Sequence, residues 1–393
     1  MNVLVLHSEL GVLWGGGETF TTNLFAAFAK RGHRVTAAFV ADPNGRYPRA
    51  LPASFERLPI PGRWSRKPGQ ATLSAIGSRL PARFRPGWGR LQEAICWRSI
   101  RWHNRRFERR IAATLSDRWP DYHAVYVNGN VGLARRAASC LPTLLMLPGP
   151  VTQELAPVLR RIHAVCAHDD ALETIRGFLG AGALELPLGL DSELFQPGST
   201  MVRADLGWSD VDIVVGYVGR LALIKGVDLL AAAFAELSRE VPNAKLLVVG
   251  SGEEESRLRS VLAGPLAEGR VHLQPAVAQS DLPRWYCAMD LFVMPSRYET
   301  MSNAALEAMA CGVPFLASAV GGSRTLLKTG AGWAFEPESV ASLVETMREI
   351  VRDRNEMRSR GVIARTYVQR HYSWAHSAER LEAIMATRLG VVA

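Results

Sequence analysis

Two glutamates, Glu299 and Glu307, are separated by seven residues at a predicted strand-to-helix turn. The apolar run Leu291–Met294 predicts the strand, and Ser302 or Asn303 would begin the helix because both are favourable N-caps. Free N–H groups at a helix start bind anions, whereas a carboxylate such as Glu299 suits neutral hydroxyls. The pattern therefore predicts a ligand that carries both phosphate and hydroxyls, such as a nucleotide sugar. The N–H groups that would face its phosphate belong to Thr300, Met301, Ser302 and Asn303.

Two cations occupy a second predicted strand-to-helix turn. The strand Ile213–Val218 is followed by Arg220 and Lys225, which Gly219 and Gly226 flank. Cations with this spacing can converge on one polyanion, and the glycines permit close approach of the backbone. The alternative is a pair of exposed loop cations without a ligand.

A run of three glycines, Gly15–Gly17, follows the first predicted strand, Val3–Leu6. Backbone amides can approach a ligand closely where side chains are absent. The run does not match G-x-G-x-x-G, because position 20 is phenylalanine. A nicotinamide dinucleotide site is therefore not expected.

Strand-like and helical patterns alternate along the chain, which predicts an α/β fold with doubly wound parallel sheets. Predicted strands of the first half are Val3–Leu6, Val35–Val40, Ala124–Val127, Thr143–Leu147 and Ala164–Ala167. Those of the second half are Ile213–Val218, Leu246–Val249, Val271–Leu273, Leu291–Met294 and Phe315–Ala317, and the remainder is predicted to be mostly helical. A turn-rich stretch near residue 197 separates the two series. We therefore predict two Rossmann-like domains, 1–197 and 198–373, which face each other across a ligand-binding cleft.

Composition excludes several classes of protein. Of the 393 residues, 48% are hydrophobic and 21% are charged, which excludes a disordered chain, a collagen-like repeat and a polytopic membrane protein. The five cysteines share no C-x-x-C spacing, which predicts free thiols in a reducing compartment and no zinc site. The N-terminus has no basic segment before its apolar run, so we interpret it as a strand rather than a signal peptide. Together these features predict a cytoplasmic protein.

The net charge of +9 originates in one segment, Arg57–Arg118, which holds fifteen basic and three acidic residues. Part of it, Leu91–Leu115, has helical spacing, with Phe107 on an apolar face and Arg109 on a basic one. One interpretation is an ordinary amphipathic helix packed on a sheet. The other is a peripheral contact with anionic lipid headgroups, at ~1 kcal/mol per cation. Nucleic acid is not an expected partner, because no zinc-finger, RRM or homeodomain signature accompanies the charge.

The region 299–314 resembles a known signature. It consists of a glutamate, seven residues and then Glu-Ala-Met-Ala-x-Gly-x-Pro. This is similar to retaining glycosyltransferases with the two-domain GT-B fold, specifically glycosyltransferase family four (glycosyl transferases group one). The Gly-Arg-x-x-x-x-Lys-Gly stretch at 219–226 resembles the same family. The family also has a histidine at the end of a first-domain strand, where this chain has Pro148.

The resemblance implies a role for each candidate residue. Glu299 would contact the transferred sugar, and Glu307 would hydrogen-bond the nucleotide ribose. Arg220 and Lys225 would hold the donor diphosphate. It also implies that a last helix, about 374–393, packs back on the first domain. The predicted catalytic residues are Arg220, Lys225 and Glu299, and the predicted donor-binding residues are Gly16, Gly17, Gly219, Thr300, Met301, Ser302, Asn303 and Glu307.

The implied reaction is transfer of a hexosyl group from a nucleoside-diphosphate sugar to an acceptor hydroxyl, with retention of configuration. The acceptor would be a lipid-linked or cell-envelope glycan in polysaccharide biosynthesis, reached from the cytoplasmic side of the membrane. No metal and no cofactor are expected. Two alternatives remain open: the same fold acting on a soluble anionic acceptor, and an inactive membrane-binding or nucleic-acid-binding module.

Overall fold

A computed structural model of the chain describes residues 1–7, 16–41, 51–61, 105, 107–149 and 151–391. They form two compact units. Unit 1 comprises Met1–Gly189 and Trp374–Ala393, and unit 2 comprises Leu190–Ser373. The turn-rich stretch near residue 197, the predicted boundary, therefore belongs to unit 2.

Unit 1 contains a parallel sheet of seven strands: β1 Asn2–Leu6, β2 Arg34–Ala41, β3 Phe55–Pro61, β4 Ala124–Asn128, β5 Thr143–Leu147, β6 Ala164–Ala167 and β7 Ala183–Glu185. Their order across the sheet is β3-β2-β1-β4-β5-β6-β7. The described helices of this unit are Gly16–Lys30, Val131–Ala137, Ala156–Leu159, Asp169–Leu179 and Trp374–Leu389, with a further helical stretch at 107–114.

Unit 2 contains a parallel sheet of six strands: β8 Ile213–Val218, β9 Ala244–Val249, β10 Val271–Gln274, β11 Leu291–Met294, β12 Phe315–Ser318 and β13 Gly332–Phe335. Their order across the sheet is β10-β9-β8-β11-β12-β13. The helices of this unit are Val202–Asp205, Val227–Glu240, Glu255–Val261, Ala263–Ala267, Leu282–Tyr286, Asn303–Ala310, Ser323–Leu327, Val340–Ile350 and Arg354–His371.

Both sheets reverse their strand order at one point, between β1 and β4 in unit 1 and between β8 and β11 in unit 2. Leu291 of β11 is paired with Val215 of β8 at this position in unit 2. Such a switch point leaves a crevice outside the carboxyl ends of the two strands, where ligands of doubly wound folds bind. The predicted fold class, two Rossmann-like parallel-sheet domains, is confirmed.

Three strands were absent from the sequence prediction: β3, β7 and β13. All three lie at the edges of their sheets. The remainder of the chain after β12 was predicted to be mostly helical, and β13 corrects that prediction. Each of the three is partly exposed, so it need not carry the continuous apolar run that marks a central strand buried on both faces.

The last helix, Trp374–Leu389, packs against the helix Gly16–Lys30 in unit 1. Glu382 on this helix forms an ion pair with His33, with 2.7 Å between His33 Nε2 and Glu382 Oε1, and also pairs with Arg31. At the start of the helix the ring of Trp374 covers Gly189, where an added Cβ would lie 2.3 Å from Trp374 Cδ2. Only glycine at position 189 therefore allows this close packing.

Most of the basic segment lies outside the described residues. In its described part the predicted faces are present, since Phe107, Ile111 and Leu115 are buried whereas Arg109 is exposed. The described residues include no helix that is both long and apolar enough to cross a bilayer.

Acid should destabilise unit 1 through His168, whose ring packs edge-on against Phe20. Burial lowers the pKa of His168 from its usual 6.5 to about 4. The unfolded chain therefore takes up the proton first, and stability is lost as the pH falls from about 6.5 to about 4, by about 3 kcal/mol at most. We expect the urea midpoint to fall between pH 7 and pH 5, and to fall less in His168→Gln. An equal fall in both proteins would contradict this prediction.

Candidate active site in unit 2

Glu299 lies in the turn between β11 and the helix Asn303–Ala310, as predicted. Ser302 is the N-cap of that helix, and its hydroxyl oxygen accepts a hydrogen bond from the Ala305 N–H at 3.2 Å. The Glu299 carboxylate is buried and accepts a hydrogen bond from Ser296 Oγ at 3.3 Å. The turn thus fixes the carboxylate at the carboxyl edge of the sheet.

Lys225 and Glu299 form an ion pair with 2.6 Å between Lys225 Nζ and Glu299 Oε2. Their side chains are 28% and 8% exposed. Lys225 ends a short 3₁₀ turn that follows β8, and Glu299 follows β11, so the pairing of these two strands brings the turns together. The sequence predicted the two residues for different parts of one ligand, and the structure brings them into direct contact.

Gly226 allows the two turns to approach each other. Its φ is +66°, and an added Cβ would lie 1.8 Å from the carbonyl oxygen of Pro295. A side chain at this position would be both strained and blocked by backbone. The glycine therefore permits the contact between Lys225 and Glu299.

The side chain of Arg220 is exposed, and Tyr217 holds its backbone through a hydrogen bond. The buried Tyr217 hydroxyl donates a hydrogen bond to the Arg220 carbonyl oxygen at 2.8 Å. Gly219 makes room for that hydroxyl, because an added Cβ would lie 2.9 Å from it. Burial first, and then the charge of Glu299, raise the pKa of Tyr217, so it stays a neutral donor.

Glu307 is 6% exposed on the helix Asn303–Ala310. Tyr286 OH donates a hydrogen bond to Glu307 Oε2 at 2.8 Å, and Gln279 Nε2 donates to Oε1 at 3.4 Å. Burial raises the pKa of Glu307 to about 7, while these two hydrogen bonds oppose the rise. The carboxyl group therefore titrates near neutral pH.

The backbone N–H groups of the predicted anion site, Thr300 to Asn303, donate to no acceptor among the described residues. Gly322 packs against the loop that carries these N–H groups, and its own N–H donates to the Glu299 carbonyl oxygen at 3.0 Å. An added Cβ at Gly322 would lie 2.0 Å from the Thr300 carbonyl oxygen. The loop that carries the four donors is thus held in place, and no described residue accepts a hydrogen bond from them.

Gly16 and Gly17 belong to unit 1, where they begin the helix Gly16–Lys30 after β1. An added Cβ at Gly17 would lie 4.0 Å from both Asn128 Oδ1 and His7 Cε1. His7 Nε2 in turn lies 3.5 Å from Glu18 Oε1. These two predicted donor-binding glycines are therefore in a different unit from the other candidate residues.

Sequence reasoning missed Tyr286, Gln279 and Tyr217, whose side chains hold Glu307 and the Arg220 turn. Tyr286 lies on the helix Leu282–Tyr286, and its position in the sequence gave no sign that it faces a glutamate 21 residues later. A buried carboxylate needs a hydrogen-bond donor, and that requirement was the available signal.

Residues 200–366 match the family model described as Glycosyl transferases group 1. This region is a group 1 glycosyl transferase domain. The match confirms the resemblance predicted from the two motifs, and the assignment to glycosyltransferase family four is consistent with it.

Two curated relatives align with about half of this chain. A GDP-mannose-dependent monoacylated alpha-(1-6)-phosphatidylinositol monomannoside mannosyltransferase of Corynebacterium glutamicum is 32% identical over 51% of this chain and 55% of its own length. A D-inositol 3-phosphate glycosyltransferase of Nocardia farcinica is 34% identical over 50% of this chain and 45% of its own length. The chain thus spans about half the length of the relatives it matches.

A solved structure shares the fold of nearly the whole chain. Sucrose-phosphate synthase from Thermosynechococcus elongatus has a TM-score of 0.76 at 20% identity, covering 97% of each chain. This similarity supports the GT-B fold class.

Proposed function

We propose that this chain is a retaining hexosyltransferase that moves a sugar from a nucleoside-diphosphate sugar to an acceptor hydroxyl. The observation that carries the proposal is the convergence of Lys225 and Glu299 at the switch point between β8 and β11. The proposal is supported because a cation that can bind phosphate meets a carboxylate that can accept hydrogen bonds from hydroxyls. Both lie next to a helix start whose N–H groups donate to no acceptor among the described residues.

In the proposed reaction the acceptor oxygen attacks the anomeric carbon on the face from which the diphosphate departs. The bond from the anomeric carbon to the diphosphate breaks, and a diphosphate oxygen takes the proton of the acceptor hydroxyl. Arg220 and Lys225 stabilise the charge that develops on the diphosphate, aided by the N–H groups of Thr300 to Asn303. Glu299 accepts hydrogen bonds from the sugar and Glu307 from the ribose. No carboxylate pair is assigned to a glycosidase-like dyad.

The donor can be identified by a thermal-shift screen with uridine, guanosine and adenosine diphosphate sugars. A ligand that binds only the folded protein stabilises it by about 2.7 kcal/mol at a hundred times its dissociation constant. We expect one nucleotide class to raise the midpoint and to be consumed in the presence of an acceptor. The anomeric proton coupling of the product reports the stereochemistry. No stabilisation by any donor, or an inverted product, would contradict the proposal.

We also propose that the reaction needs no divalent metal, because Arg220 and Lys225 supply positive charge at the diphosphate. The measurement is turnover after treatment with EDTA. Activity that EDTA abolishes and a divalent ion restores would overturn this part of the proposal.

For the acceptor we propose a lipid-linked or cell-envelope glycan, reached through peripheral contact of the basic segment Arg57–Arg118 with an anionic membrane. Support comes from the fifteen basic residues in that segment and from the phosphatidylinositol mannoside named for the Corynebacterium glutamicum relative. A soluble anionic acceptor is the second candidate, since the Nocardia farcinica relative is named for inositol 3-phosphate. Co-sedimentation with anionic liposomes that weakens with salt supports the lipid acceptor, and its absence favours the soluble one.

A further inference from the structure

Arg297 lies in the turn after β11, two residues before Glu299, and has no role in the reaction described above. Its backbone N–H donates a hydrogen bond to the Ile224 carbonyl oxygen at 2.9 Å. Its guanidinium also donates, through Nη1, to the Leu223 carbonyl oxygen. Arg297 therefore binds the backbone of the two residues that directly precede Lys225.

The guanidinium is itself held in one orientation. Arg297 Nη1 lies 2.7 Å from Asp228 Oδ1, and Nη2 lies 2.9 Å from Asp228 Oδ2. Nε lies 2.9 Å from Glu338 Oε1. Asp228 is the second residue of the helix Val227–Glu240, which begins directly after the Lys225 turn. One side chain thus joins the Glu299 turn to both ends of the Lys225 turn.

We propose that Arg297 is a positioning residue that fixes the Lys225 turn against the Glu299 turn. This inference rests on the proposed function, because it assigns Arg297 a role in the same reaction. The ammonium of Lys225 can reach both the carboxylate and a diphosphate only if its backbone is held at a set distance. Misplacement of a catalytic group by about 1 Å can cost a hundredfold in rate. A planar, bidentate guanidinium provides that rigidity, whereas a lysine ammonium at the same place does not.

The test is Arg297→Lys, which keeps the charge and removes the bidentate fork. We expect kcat to fall about tenfold to a hundredfold, with a smaller change in KM for the donor. Arg348→Lys is the matched control. Arg348 forms a bidentate pair with Glu240, with both N–O distances at 2.7 Å, but it lies on the helix Val340–Ile350, away from both turns. Equal kcat values in the two variants would overturn the proposal.

A second measurement does not depend on turnover. Hydrogen exchange of the peptide 219–226 should be faster in Arg297→Lys than in the wild type, and unchanged in Arg348→Lys. If Arg297→Lys does not fold, Asp228→Asn replaces it in the test. This variant keeps the arginine but neutralises its partner, so exchange of the same peptide should be faster than in the wild type. If exchange of this peptide is unchanged in these variants, the positioning role of Arg297 is overturned. A wild-type protein that turns over no donor overturns the proposed function alone.

Discussion

Replacing Glu307 by glutamine is expected to weaken binding of the nucleoside-diphosphate sugar by about tenfold to a hundredfold at pH 8. Hydrogen bonds to a charged group contribute about 1.5–3 kcal/mol, and the amide keeps the shape of the side chain but loses the charge. The fold should persist. Burial raises the pKa of Glu307 to about 7, so ionisation of this group lowers the folding stability of the wild-type protein as the pH rises from about 4.5 to 7. Glutamine does not ionise, so the variant does not lose stability in this way. The measurement is calorimetric titration with the donor, alongside urea unfolding.

The pH dependence gives this prediction a control. In the wild type, donor affinity should fall as the pH drops below about 7, because protonation removes a hydrogen-bond acceptor from Glu307. In Glu307→Gln the affinity should not depend on pH over the same range. Tyr286→Phe removes a hydrogen bond that lowers the pKa of Glu307, so it should move the profile to higher pH. Identical profiles in all three proteins would contradict the ribose-binding role.

Replacing Lys225 by alanine should reduce turnover by about a hundredfold or more. Loss of one charge contact to the developing diphosphate costs on the order of 3 kcal/mol in the activation barrier. The substitution also leaves the buried Glu299 carboxylate without its cation, so a moderate loss of stability is expected. Steady-state kinetics with the donor found by the thermal-shift screen provides the measurement.

Lys245→Ala is the matched control for that substitution. Lys245 also pairs with a carboxylate in unit 2, since its Nζ lies 3.6 Å from Asp212 Oδ1. It lies near the start of β9 rather than in a turn at the switch point, so turnover should stay close to that of the wild type. Near-normal turnover in Lys225→Ala would remove Lys225 from the proposed machinery.

The central strands of both sheets could be predicted from the sequence because they are buried on both faces. β4, β5 and β8, for example, are almost continuously apolar runs. The edge strand β3 has the sequence FERLPIP, whose charges and prolines are tolerated only where one side of a strand is unpaired. Such a strand depends on its neighbour for its conformation, and a local pattern does not reveal that neighbour.

The chemical types at the candidate site were likewise determined by the sequence. The motifs around Glu299 and Lys225 specify two carboxylates, two cations and a helix start, because each motif is a local strand-to-helix turn. Their partners were decided only by the tertiary structure. Lys225 contacts Glu299, 74 residues away, because β8 and β11 are neighbours although two strands separate them along the chain. Strand order depends on how whole elements pack, and it cannot be predicted from the residues within any one turn.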